Sequence, residues 1–277
     1  MDATTNTSSK SADLALAHAL ADFADRVTMS RFRSPDLQVA TKDNLTPVTD
    51  ADRAAEAAIR EELAVRRPDD SVYGEEMGTT GDSSRMWIID PIDGTKNFLR
   101  GVPVWATLIA LVEDGEVTVG VVSAPALSRR WWAATSVGAY SSGLPQQAGS
   151  GFDYEESGER IHVSNIDKLA DASLSYSSLT GWKERGRLPQ FLELTEKVWR
   201  TRAYGDFWSY MMVAEGIVDL AAEPELETYD MAALVPIVVE AGGRFTSLAG
   251  APGPWGENAI ASNGLLHDDV LALLDWE

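Results

Sequence analysis

Residues 87–98 constrain the chain more than any other stretch, because an apolar run leads directly into two carboxylates and a glycine. The first three residues of the stretch are apolar and predict a buried strand, whose last residue, Asp90, emerges at the edge of a sheet. Pro91 is expected to stop this strand. Asp93 follows, and the Gly-Thr pair after it predicts a place where a helix begins.

The carboxylates and the glycine suggest one kind of chemistry. Asp90 and Asp93 offer oxygen ligands to a hard cation, and the backbone N–H groups of Gly94 and Thr95 can hold a phosphate at the start of a helix. Metal-assisted phosphate chemistry is therefore the first hypothesis. The alternative is a purely structural corner, in which Asp90 caps a turn and Asp93 caps the helix.

Composition and charge exclude several classes of function. Acidic residues outnumber basic ones 43 to 23, and the formal net charge is −20. Such a balance argues against binding to nucleic acid or to an anionic membrane surface, and it suits cations. The chain has no cysteine, which excludes disulfides, thiolate metal sites and a cysteine nucleophile. Its three histidines argue against an all-histidine zinc site.

The N-terminal residues 1–12 are polar and rich in serine and threonine, and they predict a disordered tail. They contain no apolar run of the kind that a secretory signal or a membrane anchor requires. Elsewhere no stretch approaches the roughly 18 consecutive apolar residues of a membrane span. These observations predict a cytoplasmic protein.

Two halves are expected on either side of residues 141–159, which are rich in Gly, Ser, Gln and Glu and predict a long loop. Residues 13–145 read as an α+β subdomain that carries the metal site. Residues 146–277 alternate strands with helices and read as an α/β subdomain that completes the active site.

A second group of acidic residues opens a predicted helix near residue 50. Thr49 and Asp52 have the spacing of a capping box, with Asp in place of the usual Glu. Asp50 falls in the first helical turn, where a negative charge is favourable without any further role.

Another pair of acids ends a short predicted strand. Glu75 and Glu76 are adjacent, and neighbouring side chains of a strand point to opposite faces, so the two cannot serve one site in the same way. The alternative is that both acids lie in an exposed acidic turn and serve no site.

A third acidic position opens a helix in the second half. Asp230 follows Tyr229, and the helix is expected to end at the glycines 242–243. Pro236 falls inside this helix, where it should kink it or weaken one turn. Taken alone, Asp230 reads as a helix cap.

These motifs together resemble the inositol monophosphatase family. Residues 90–98 match the family signature Asp-Pro-Ile-Asp-Gly-Thr-x-Asn-Phe without a substitution, and residues 46–52 match its second motif. The helix opened by Asp230 resembles its third motif, with Tyr229 where the family usually has tryptophan. The resemblance extends from about Leu14 to the end of the chain, and within the family it is strongest to bacterial histidinol-phosphate phosphatases.

The resemblance implies a layered α-β-α-β-α sandwich and Mg²⁺-dependent hydrolysis of a small phosphate ester, with two to three ions per site. It also implies a homodimer. The metal ligands would be Glu75, Asp90, the Ile92 carbonyl, Asp93 and Asp230. The catalytic residues would be Asp50, Thr95 and Glu75, with an Asp50–Thr95 pair that deprotonates the attacking water. The substrate would contact Asp93, Gly94, Thr95, Arg202, Asp206, Glu223 and Asp230.

The resemblance implies histidinol phosphate as the substrate. Its amine and imidazole call for carboxylates in the site, whereas an inositol site would need several neutral hydroxyl partners. Asp206 and Glu223 are the candidate carboxylates, and Arg202 is a candidate for the phosphate. Glu225 and Glu227 read as surface charge. The alternatives are another phosphatase of the family, acting for example on inositol phosphate, and a non-catalytic metal-binding regulator that kept the fold.

Overall fold

The computed structural model describes residues 3–42, 45–143 and 158–276, with side chains from residue 10 onwards. The α-helices of these residues are α1 (Ala3–Arg31), α2 (Asp50–Arg66), α3 (Thr95–Arg100), α4 (Leu179–Glu184), α5 (Leu188–Lys197), α6 (Asp206–Ala214), α7 (Thr228–Met231), α8 (Leu234–Glu240) and α9 (His267–Leu274). The strands are β1 (Val39–Thr41), β2 (Pro47–Thr49), β3 (Ser71–Gly74), β4 (Gly78–Thr80), β5 (Arg85–Asp93), β6 (Ala106–Glu113), β7 (Glu116–Ala124), β8 (Arg129–Ala134), β9 (Gly138–Gly143), β10 (Glu159–Arg160), β11 (Ser173–Ser175), β12 (Arg200–Arg202), β13 (Leu220–Glu223), β14 (Arg244–Thr246) and β15 (Ala259–Ser262). Most of the predicted loop at 141–159 lies outside the described residues.

The first half is built on a sheet of eight strands in the order β10-β9-β8-β7-β6-β5-β3-β4. Only β3 and β5 pair in parallel, and every other neighbouring pair is antiparallel. The second half contains a sheet of five strands in the order β12-β11-β13-β15-β14, in which β11 runs parallel to both of its neighbours. A small β1–β2 ladder leads into α2.

Alternating side chains of β5 place the two faces of the large sheet in different cores. Trp87 and Ile89 join an apolar cluster with Leu20 of α1 and Ile59 of α2. Ile88 points the opposite way and joins the central cluster between the two sheets.

The central cluster lies between the sheets and includes side chains of α6 and α8, such as Met211 and Ile237, with Phe245 of the smaller sheet. The outer face of the smaller sheet packs Leu174 against Trp182 of α4. Helices and sheets therefore alternate in five layers. The predicted α-β-α-β-α sandwich is confirmed.

Two local predictions are corrected. Helix α1 begins at Ala3, so the prediction of a disordered tail over residues 1–12 is wrong from that residue onwards. Once an apolar stripe holds a helix against a sheet, each further turn adds only propagation steps, and polar residues such as serine can continue it. Strand β5 also does not stop at Pro91: it runs to Asp93, and its register with β6 shifts between Asp90 and Asp93. The shift accommodates a residue that has no N–H for the ladder.

The third acidic motif folds as the sequence indicates. Residues 228–240 form two short helices, α7 and α8, and not one continuous helix. The interruption comes just before Pro236, which lacks an N–H group and crowds the preceding turn.

Gly120 of β7 brings this helical segment close to the large sheet. A Cβ atom at Gly120 would lie 2.3 Å from the carbonyl oxygen of Ala233, which joins α7 to α8. No larger residue fits without moving the backbone. This close approach holds the helix that carries Asp230 against the sheet that carries Asp90.

Candidate active site

Three carboxylates meet where the two halves of the chain join. Asp90 and Asp93 lie at the end of β5, and Asp230 lies in α7; one oxygen from each falls within 4.8 Å of the others. Asp90 is 1% exposed. Asp93 and Asp230 are partly buried, and three acids this close repel one another strongly unless a positive charge or protons are present.

The pKa values of the clustered carboxyl groups reflect that repulsion. Burial raises the pKa of Asp90 well above its ordinary value, and the nearby charges of Glu75, Asp93 and Asp230 raise it further. Burial likewise raises the pKa of Asp230 to about 7, and Glu75 adds to the effect. An all-oxygen, all-anionic donor set of this kind fits a hard divalent cation such as Mg²⁺, which relieves the repulsion.

Hydrogen bonds within the signature fix the orientation of these groups. The Ile92 N–H donates to Asp90 Oδ1 at 2.9 Å, and the Thr95 hydroxyl donates to the Ile92 carbonyl at 3.0 Å. Asp93 Oδ2 accepts from the backbone N–H of Phe207 at 2.7 Å, so α6 of the second half orients a carboxylate of the first.

Glu75 and Glu76 do not lie on opposite faces of a strand. Strand β3 ends at Gly74, and both acids sit in the following turn. The Lys42 ammonium bridges them, at 2.7 Å from Glu75 and 2.6 Å from Glu76. The expectation that the two point apart is wrong because the strand ends at Gly74, two residues earlier than predicted.

The structure contradicts the predicted pairing of Asp50 with Thr95. Asp50 Oδ2 forms an ion pair with Arg31 at 2.7 Å, on the side of α2 that faces α1. Asp52, which is fully buried, approaches Thr95 instead: its Oδ1 lies 3.4 Å from the Thr95 hydroxyl.

Asp52 also forms the capping box that the sequence predicts. Its Oδ2 accepts from the N–H and the hydroxyl of Thr49, at 2.8 Å and 2.5 Å. Burial raises the pKa of Asp52, and the hydrogen bonds from Thr49 oppose that rise. One oxygen is thus held by the helix cap, and the other is left facing Thr95.

A sequence signal for Asp52 existed in the helical periodicity. Asp52, Ala55, Ile59 and Leu63 are all buried at spacings of three or four, so Asp52 belongs to the inward stripe of α2. Asp50 is two residues away, about 200° around the helix, and falls outside that stripe.

A cleft of about 880 Å³ opens beside the carboxylate cluster. Its walls come from α3, α4, the start of α6 and the segment from β13 to α7. The carboxylates among its lining residues are Glu75, Glu184, Asp206, Glu223, Glu225, Glu227 and Asp230. Glu225 and Glu227, which the sequence assigned to the outer surface, therefore border the cleft.

Two of the cleft carboxylates, Glu223 and Asp206, accept hydrogen bonds from the second and the first half of the chain, respectively. Glu223 is 8% exposed, and the Ser177 hydroxyl donates to it at 2.6 Å. Burial raises the pKa of Glu223 to about 8. Asp206 Oδ2 accepts from the Asn97 amide at 2.8 Å, and burial raises the pKa of Asp206 to about 6.

Arg202 does not belong to the cleft. It lies exposed on the edge strand β12, and its Nη1 donates to the carbonyl of Thr201. Arg202 is not among the residues that line the cleft. The prediction that Arg202 contacts the substrate is not supported by this geometry.

In the part of the chain that the structure describes, no helix has the length and hydropathy needed to span a membrane.

A layered α/β sandwich with a carboxylate cluster at the junction of its halves, and a cleft beside it, defines a class of metal-dependent enzymes. The family model described as "Inositol monophosphatase family" matches residues 10–275. The chain belongs to the inositol monophosphatase family.

Individual relatives cover almost the whole chain. A histidinol-phosphatase of Streptomyces coelicolor is 59% identical over 267 residues, which cover 95% of this chain and 97% of the relative. A histidinol-phosphatase of Mycobacterium tuberculosis is 57% identical over 264 residues, with 95% and 98% covered. The solved structure of an IMPase from Thermotoga maritima superimposes with a TM-score of 0.81 at 32% identity, over 95% of this chain and 96% of that one.

Proposed function

We propose that this chain is a histidinol-phosphatase, which hydrolyses histidinol phosphate to histidinol and phosphate in histidine biosynthesis. The observation that carries the choice of substrate is the identity of 57–59%, over nearly full length, to two histidinol-phosphatases. The acid-lined cleft beside the carboxylate cluster supports it, because the organic part of this substrate is cationic.

The proposed metal ligands are Glu75, Asp90, the Ile92 carbonyl, Asp93 and Asp230. This set would hold two to three Mg²⁺ ions, as the family resemblance implies. When bound, Mg²⁺ acts as a Lewis acid that activates water and neutralises charge on the leaving oxygen. The raised pKa of Asp90 and the closeness of the three aspartates support this assignment.

Asp52 and Thr95 are proposed to handle the attacking water. The Thr95 hydroxyl would orient the water, and Asp52 Oδ1, 3.4 Å from that hydroxyl, would accept the proton. The water oxygen then bonds to phosphorus as the bond to the alcohol oxygen breaks, and the alcohol takes up a proton. Thr49 holds the other oxygen of Asp52 and so keeps the carboxylate aimed at Thr95.

The phosphate and the organic part would contact different residues of the cleft. The N–H groups of Gly94 and Thr95 are proposed to hold the phosphate, with Asp93 and Asp230 beside it. Asp206 and Glu223 are proposed to receive the cationic part. An ammonium group placed next to Glu223 would favour its charged form, which burial alone disfavours. Cytoplasmic location, which rests on the sequence pattern, and a homodimer, which rests on the family resemblance, remain predictions.

The function is tested by phosphate release from purified protein in saturating Mg²⁺. We expect kcat/KM for histidinol phosphate to exceed that for inositol 1-phosphate by at least about a hundredfold, because charged partners in a buried site reject a neutral ring of hydroxyls. Equal rates on both substrates would contradict the assignment. No release from either, by protein that binds Mg²⁺, would point to the non-catalytic regulator.

The roles of Asp206 and Glu223 are tested by Asp206→Asn and Glu223→Gln. A hydrogen bond to a charged group contributes about 1.5–3 kcal/mol, so each change should lower kcat/KM for histidinol phosphate roughly ten- to a hundredfold. The kcat/KM for glycerol phosphate, a substrate that is neutral apart from its phosphate, should change little. Asn suits position 206, because its backbone φ of 50° lies in the left-handed region that Asn tolerates.

The matched control is Glu193→Gln, which removes an exposed carboxylate of α5 that pairs with Lys197. This variant should leave kcat/KM unchanged for both histidinol phosphate and glycerol phosphate. Equal losses on both substrates in the Asp206 and Glu223 variants would mean that these acids support the fold or the metal ligands and do not select the substrate.

A further inference from the structure

The charge of the cleft conflicts with the charge of a phosphate ester. Seven carboxylates line the cleft, and a phosphate dianion that enters it meets their combined field. Metal ions offset that field only near the aspartate cluster. Among the described residues that line the cleft, Lys96 is the one cationic side chain.

Lys96 occupies a position from which it can meet the phosphate. It directly follows Thr95, the residue proposed to hold the phosphate, and it is exposed at the start of α3. No ion pair within 4 Å involves its ammonium among the described residues. Lys42, the other lysine near the site, is already engaged by Glu75 and Glu76.

A carboxylate beside the phosphate loop makes such a cation necessary. A Cβ atom at Gly94 would lie 3.4 Å from Asp206 Oδ2, so Asp206 directly borders the loop proposed to hold the phosphate. The positive charge of Lys96 lowers the pKa of Asp206 against the effect of burial, which places the ammonium within electrostatic reach of the same point. Lys96, Asp206 and the loop proposed to hold the phosphate therefore all border the same part of the cleft.

We infer that Lys96 is a substrate-binding residue, whose ammonium attracts and contacts the phosphate dianion at the mouth of the acidic cleft. The inference rests on the proposed phosphatase activity and adds a residue to it. An exposed, flexible lysine acts as a mobile point charge, so its contribution falls on capture of the substrate more than on the chemical step.

The test compares Lys96→Met, Lys96→Arg and Lys183→Met in steady-state hydrolysis of histidinol phosphate. Lys183 is an exposed lysine of α4 outside the cleft lining, so its replacement changes the net charge by the same amount. We expect Lys96→Met to raise KM about tenfold with kcat within about twofold, in line with a charge-assisted hydrogen bond. Lys96→Arg should restore most of the affinity, and Lys183→Met should match the wild type.

Ionic strength supplies a second readout. Screening weakens the attraction between the Lys96 ammonium and the phosphate, so the difference in KM between Lys96→Met and the wild type should shrink as the salt concentration rises. An unchanged KM and salt dependence in Lys96→Met would overturn the inference. So would a fall in kcat that Lys96→Arg fails to restore, since it would indicate a structural role.

An Asp206→Asn background separates direct contact from simple neutralisation of Asp206. If Lys96 contacts the phosphate, Lys96→Met should raise KM in that background as well. Disappearance of its effect there would mean that Lys96 acts on Asp206 alone, and the inference would be wrong. Failure of the wild type to release phosphate would instead refute the proposed function, so the two failures are distinguishable.

Discussion

Asp90→Asn is expected to abolish turnover and to leave the fold intact. Asp90 is the most deeply buried of the three clustered aspartates proposed to hold Mg²⁺, and a neutral amide holds a dication far less tightly. The amide oxygen can still accept the Ile92 N–H, as Asp90 Oδ1 does at 2.9 Å. Removal of one charge also reduces the repulsion within the aspartate cluster.

Two measurements check this prediction. Phosphate release in saturating Mg²⁺ should fall below about a tenth of the wild-type rate, since the loss of one charged ligand removes well over 1.4 kcal/mol of transition-state stabilisation. Thermal unfolding without metal should give a Tm at or above that of the wild type. Added Mg²⁺ should raise Tm in the wild type much more than in the variant, because only bound ligand stabilises the folded state. Substantial activity in the variant would contradict the two-metal assignment.

Asp52→Asn is expected to lower kcat by about 10² to 10⁴, the usual contribution of a positioned general base. The amide oxygen can keep the bonds from Thr49, which leaves the NH₂ group facing Thr95. A donor would then stand where the mechanism needs an acceptor. The helix cap should survive, so Tm should change little.

Asp50→Asn is the matched control, two residues away on the same helix. It removes only the ion pair with Arg31, a partly exposed contact that contributes little to stability and lies away from Thr95. Its kcat should remain within about twofold of the wild type, as is usual for surface substitutions. Thr95→Ala should resemble Asp52→Asn, with a lower kcat and little change in KM. A large loss from Asp50→Asn with full activity in Asp52→Asn would restore the pairing predicted from the sequence.

The sequence predicted the local parts of this protein well. The strand before Asp90, the capping box of Thr49 and Asp52, and the weak helical turn before Pro236 all depend on residues within a few positions of one another. The family resemblance supplied the five-layer order that no local pattern contains. Local patterns are reliable here because strand, cap and proline preferences come from the steric and hydrogen-bonding properties of neighbouring residues.

Side-chain direction around α2 shows where sequence reading failed. The motif at residues 46–52 offers two aspartates, and both are compatible with the start of a helix. Packing of the buried stripe against the sheet decides that Asp52 faces Thr95 and that Asp50 faces Arg31. A helix turns by about 100° per residue, so a choice between residues two apart selects nearly opposite sides.

The sequence by itself determined which residues could hold a cation and roughly where helices and strands begin. Only the tertiary structure decided which of them meet: Asp230 joins Asp90 from the other half of the chain, Glu76 turns with Glu75 toward Lys42, and Arg202 stays outside the cleft. The reason is that charge and capping preference belong to single residues. Distances between residues far apart in the chain arise only when the two sheets pack through their shared apolar layer.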